Sequence, residues 1–141
     1  MLALCFASYL GFGLVLILVG ANQAELSRYF GLDFAQTGQL VSALAAGLGV
    51  GVVAAGPLFD RYPQRPLFVG TLALAAVALF SIGGEVSFTR LIVHLFAAGM
   101  GIGGYNTLIN ATVAERFAER SARPMSMIHA GASVGAMLDL R

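Results

Sequence analysis

Read for hydrophobic and polar positions, the chain falls into five stretches without Asp, Glu, Lys or Arg: residues 1–24, 34–59, 66–84, 91–114 and 124–138. Crossing a bilayer takes about 20 mainly apolar residues, with a range of about 17–25. The first four stretches are long enough; the fifth meets Asp139 after 15 residues and is short. The pattern predicts spans over about 2–21, 37–56, 67–83 and 88–114, with a partial fifth over 124–138. All are expected to be helices, because hydrocarbon holds no water to satisfy free backbone groups. A membrane barrel would need alternating segments of about 10 residues, which these unbroken runs are not. The expected fold class is all-α integral membrane: four transmembrane helices plus a truncated fifth. Residues 1–141 then form one partial transmembrane bundle without a soluble domain.

Composition sharpens this. Only 11% of the residues are charged and 58% are hydrophobic, where a soluble domain carries about 25% charged residues. A soluble enzyme, a disordered tail and a nucleic-acid binder all fit poorly, and the net charge of +1 supplies no field for nucleic acid. The single cysteine, Cys5, lies in the first stretch and rules out a disulfide framework or a Cys-based zinc site. The two histidines, His94 and His129, are far apart in sequence without clustered carboxylates, so neither a metal nor another cofactor is expected. No Ser-His-Asp or Cys-His arrangement can be drawn, and no enzymatic activity is expected. Met1 runs straight into Leu-Ala-Leu-Cys-Phe without a charged leader, which reads as a retained span rather than a signal peptide.

Arginine placement sets the expected orientation. Arg61, Arg65, Arg116, Arg120 and Arg123 fall on one side, and Arg28 and Arg90 on the other. By the positive-inside rule the richer side is cytoplasmic, giving a multi-pass protein of the inner (cytoplasmic) membrane with its N-terminus inside. Gly47, Gly49 and Gly51, then Gly99, Gly101 and Gly103, then Gly131 and Gly135, contain small-xxx-small pairs that let helix backbones approach closely. Gly99 to Gly104 also matches G-x-G-x-x-G, but that fingerprint needs a strand before it and an aqueous crevice; here it lies within a span. Asn110-Ala111-Thr112 is a glycosylation sequon at membrane depth and fails likewise.

The connection Gly56-Pro57-Leu58-Phe59-Asp60-Arg61-Tyr62-Pro63-Gln64-Arg65-Pro66 carries the most information. Asp60 is expected at the C-terminal end of a helix, where the backbone dipole is already negative. It therefore needs a cation or another helix's N-terminus nearby. Pro66 suits the first position of the next helix. An ordinary arginine-rich loop with one compensating acid would read the same way. The pattern Gly56-x-Leu58-x-Asp60-Arg61-x-x-x-Arg65 resembles the 2–3 loop signature of the major facilitator superfamily, G-x-L-x-D-R-x-G-R-[RK]. Pro63 and Gln64 depart from it. Leu95 to Gly103 with Asn106 and Asn110, and Met127 to Gly131, are most similar to fucose-permease-like sugar transporters.

The resemblance implies a secondary transporter of about 12 helices in which two six-helix halves rock around a midplane site. Gly56, Leu58, Asp60, Arg61 and Arg65 become the gating motif, with Asp60 held against a helix of the second half when the cytoplasmic side is closed. The implied partners are the bilayer, a small-molecule solute, a coupling proton and a C-terminal half outside these 141 residues. The chain is thus expected to be an N-terminal fragment, inactive alone, of a carrier for a sugar or similar solute. Asn22, Asn106 and Asn110 are the candidate solute contacts, since polar groups at membrane depth mark pathways, though Asn106 and Asn110 also suit a structural role between helices and Asn22 a polar helix end at the outer interface. In fucose-permease-like members an acid often stands in the place of Asn106 and helps carry protons; the amide here does not serve that role. His94, one turn from Arg90, is expected to be packed rather than a relay. The competing reading is a small self-standing multi-pass protein with a structural or assembly role.

Overall fold

The computed structural model describes residues 23–82 and 87–117, together with Phe6, Tyr9, Leu10, Ser126, Met127, His129, Ala130, Ser133 and Val134. Regular structure among the described residues is helical throughout. Helix α1 spans Gln23–Phe30, α2 Phe34–Arg61, α3 Gln64–Phe80 and α4 Phe88–Phe117. At 1.5 Å per residue, α2 and α4 are about 42 and 45 Å long, against about 30 Å of hydrocarbon. Both are long and apolar enough to cross a membrane, and α3 is a shorter apolar helix of 17 residues. The expected first span and partial fifth fall largely outside the described residues. Within them Phe6, Tyr9 and Leu10, and Ser126 to Val134 where described, are helical.

One expected position shifts and one helix end agrees with its expectation: α2 runs through Pro57 to Arg61, with Asp60 in its last turn. Proline lacks only its own N–H, which the Val53 carbonyl would have accepted, and the flanking bonds carry the helix one turn further. The third helix begins at Gln64 with Pro63 as its N-cap, so Pro66 is its third residue rather than its first. A missing N–H is tolerated there because the first four N–H groups of any helix have no intrahelical acceptor.

The chain divides into two compact units, Ser27–Leu108 and Met1–Leu26 with Ile109–Arg141. The first is organised by its corners and its glycines. Helix α1 ends with Gly31 at φ +62°, its N–H donating to the Arg28 carbonyl at 3.3 Å while the Leu32 N–H donates to that of Ser27 at 2.8 Å. Those two bonds form a Schellman ending, which needs the left-handed residue glycine supplies. Two residues later Asp33 caps α2. Its Oδ1 accepts the Gln36 N–H at 2.7 Å, and the Gln36 Oε1 accepts the Asp33 N–H at 3.0 Å. This is a reciprocal capping box.

Helices α2 and α4 then meet glycine to backbone. A methyl group on Gly47 or Gly51 would overlap the Phe96 or Met100 carbonyl; on Gly99 or Gly103 it would overlap the Leu44 or Leu48 carbonyl. Each helix thus presents a Gly-xxx-Gly pair to the other. Leu40, Leu44 and Ala55 of α2 and Leu91, Leu95 and Ala98 of α4 are buried along with them. Gly101 turns to the third helix, where a methyl would sit 2.6 Å from the Thr71 carbonyl and 2.7 Å from the Ala75 nitrogen. Gly49 meets nothing within 4 Å, so the close pair within Gly47, Gly49 and Gly51 is Gly47 with Gly51. Val53, Val69, Val77 and Phe80 are apolar and exposed.

Candidate functional site

Two groupings hold the residues singled out from the sequence. The first is the corner between α2 and α3. Asp60 and Arg61 occupy the last turn of α2 and Arg65 the first turn of α3, and all three are exposed. Tyr62 and Pro63 alone separate the helices, both in extended backbone (φ −125°, ψ 154° and φ −58°, ψ 138°). The Tyr62 N–H donates to the Leu58 carbonyl at 2.9 Å and closes the end of α2. Gly56 has open space around it and Leu58 is partly exposed.

The electrostatics of this corner are mixed. Arg61 complements the negative C-terminal pole of α2, whereas Asp60 stands at that pole with the same sign as the pole. Arg65 likewise stands at the positive N-terminal pole of α3. Among the described residues none of the three side chains makes an ion pair or hydrogen bond. An anion and a cation are therefore each held where their own helix does not favour them.

The second grouping lies in the unit Met1–Leu26 with Ile109–Arg141. The Tyr9 hydroxyl donates to Asn110 Oδ1 at 2.7 Å. The Tyr9 ring meets His129 edge-on, centroids 5.1 Å apart and planes at 81°. Tyr9 is only 1% exposed, Asn110 half-buried and His129 exposed. Three parts of the chain that are distant in sequence are joined by one phenol. Of the candidate solute contacts, the structure brings Asn110 to this place and adds His129 and Tyr9, the last of which sequence reasoning missed. The available signal was a lone phenol in a stretch otherwise free of hydrogen-bonding rings.

The remaining candidates stand elsewhere. Asn106 is half-buried one turn before Asn110 on α4, and Asn22 lies outside the described residues. The His94 Nδ1–H donates to the Arg90 carbonyl at 2.5 Å, within its own helix. Phe68 and Tyr105 meet edge-on at 5.7 Å. An apolar cavity of 130 Å³ lies among Gly51, Ala55, Leu58, Thr71, Met100 and Leu108. Solute pockets run to about 300–1,000 Å³ with convergent polar groups, so this cavity is a gap in helix packing. Among the described residues no three His, Cys, Asp or Glu side chains gather as a metal site.

Long apolar helices locked by glycines, with charges confined to their ends, define a class: the polytopic helical membrane protein. Residues 1–139 match the sequence profile of the Major Facilitator Superfamily. The chain belongs to that superfamily, and so to a family of membrane transporters rather than of enzymes. It is similar to the 3-(3-hydroxy-phenyl)propionate transporter of Escherichia coli (strain K12), 30% identical over 140 residues covering 97% of this chain and 34% of the relative. The 4-hydroxybenzoate transporter PcaK of Pseudomonas putida is 29% identical over 100 residues, 71% of this chain and 22% of its own. The sodium-dependent glucose transporter 1A of Mus musculus is 23% identical over 133 residues, 94% of this chain and 31% of its own. The chain thus spans about a third of the first and third relatives and about a fifth of the second. No solved structure matches it.

Proposed function

We propose that these 141 residues are the N-terminal portion of a secondary transporter that moves a small organic solute across the cytoplasmic membrane by alternating access, with its N-terminus inside. The observation that carries the reading is Asp60, an exposed carboxylate at the wrong pole of α2 in a sequence that keeps Gly56, Leu58, Asp60, Arg61 and Arg65 of the family signature. In this reading Asp60 finds its counter-charge on a helix of the second half, and making and breaking that contact gates the cytoplasmic side. The shares of the relatives that the chain covers support its being one portion of a longer carrier. Asn22, Asn106 and Asn110 face the solute path in the same reading.

The solute is an aromatic acid. The support is the set of relatives, which includes transporters of 3-(3-hydroxy-phenyl)propionate, 4-hydroxybenzoate and gentisate. A sugar is the second reading, favoured by the glucose transporter among the relatives and by the fucose-permease-like pattern around Asn106. Proton coupling belongs to neither specifically, since Asn106 is an amide.

The test is Asp60→Asn in the full-length protein. A charge–dipole contact reaches about 2 kcal/mol in partly buried geometry, and losing most of that shifts a two-state gate about tenfold. Initial uptake of labelled 4-hydroxybenzoate should fall about tenfold, with the amount of protein in the membrane unchanged. Uptake at the unmodified rate would remove Asp60 from the gate.

A further inference from the structure

Tyr9, Asn110 and His129 form a polar cluster whose three members differ sharply in access. The phenol is 1% exposed and spends its proton on Asn110 Oδ1 at 2.7 Å, which fixes the oxygen end of that amide toward Tyr9. It is too enclosed to meet a solute itself. His129 is exposed, with its ring braced edge-on against the phenol, and its ring nitrogens make no hydrogen bond among the described residues. His129 is also the one ionisable side chain in the stretch 124–138, and neither that stretch nor 1–24 contains an acid or an arginine.

A polar ring in so apolar a setting is costly to leave facing hydrocarbon and marks a solute or ion path by default. An imidazole offers an N–H donor that a carboxylate or hydroxyl oxygen can accept, and the stretches 1–24 and 124–138 hold no carboxylate to take it. We propose that His129 is a specificity-determining solute contact that hydrogen-bonds a carboxylate or ring-hydroxyl oxygen of an aromatic acid, and that Tyr9 is the positioning residue that holds it. The inference rests on the aromatic-acid reading above and extends it to two residues outside the candidate set. Tyr9 acts through rigidity: a buried two-torsion side chain, anchored at its hydroxyl, gives the imidazole a fixed edge to lean on.

The experiment uses the full-length protein in membrane vesicles with 4-hydroxybenzoate as the probe. Binding is measured at equilibrium, and modification of His129 by diethyl pyrocarbonate is followed by peptide mass spectrometry with and without the probe. Saturating probe should slow modification of His129 at least fivefold. Tyr9→Phe, which keeps the ring and removes the hydroxyl, should reduce that protection, and His129→Leu should weaken binding about tenfold while His129→Gln recovers part of it. If the probe binds and the His129 rate does not change, the inference is overturned while the aromatic-acid reading stands. If His129 is unreactive with and without probe, another segment of the protein covers it and the inference is overturned. If the unmodified protein does not bind the probe, the aromatic-acid reading fails and takes the inference with it.

Discussion

The α2–α4 contact and the α2–α3 corner belong to the same compact unit, and their sequences impose opposite kinds of constraint. Along Gly47, Gly51, Gly99 and Gly103 no atom can be added without striking the neighbouring backbone. At Gly56, Asp60, Arg61 and Arg65 nothing is crowded, the charges are exposed, and none has a partner among the described residues. The first region is explained completely by its own unit. The second is not, because its charges oppose their own helix poles. The proposed gating contact would supply the counter-charge that the local structure does not.

The same substitution placed at different glycines breaks or sharpens that contrast. Gly103→Ala drives a methyl into the Leu48 backbone. Overpacking of this kind costs roughly 3 kcal/mol, and detergent-induced unfolding of the full-length protein should shift accordingly; an unchanged midpoint would mean that the helices separate at no cost. Asp60→Asn comes next, equivalent to about 1.4 kcal/mol for the tenfold loss of uptake, with the unfolding midpoint unmoved. A destabilised fold would move the corner into the structural class. Gly31→Ala meets no atom within 4 Å but must adopt φ +62°, a strain of about 1 kcal/mol that the same unfolding measurement reads. Gly49→Ala, in open space on a regular helix turn, should be neutral or stabilise by about 0.5 kcal/mol; a clear loss would show that this face is packed in the assembled protein.

Helices α2, α3 and α4 were legible because their charge-free stretches are long and apolar, whereas α1, with Glu25 and Arg28 in eight residues, was not; the superfamily was legible because five signature residues survive at fixed spacing. The ends of the helices were less so. Pro66 suits a first helical position, yet it stands third, because Gln64 and Arg65 join the helix ahead of it. Which glycines pack was legible in kind but not in choice, since Gly47, Gly49 and Gly51 look alike until the helix phase assigns Gly49 to the other face. Tyr9 escaped notice because a single phenol has no spacing pattern. Its meaning comes only from Asn110 and His129, which are remote in sequence and joined by the fold.

Pro57 has one more implication. The Val53 carbonyl lacks its ordinary donor, and Val53 lies on an exposed face, eight residues before the arginine that ends α2. An unmet carbonyl in oil would cost several kcal/mol. A water reaching that carbonyl would stand roughly 12 Å along the axis from the arginine at the helix tip, which makes Val53 a gauge of how deep α2 stays clear of hydrocarbon.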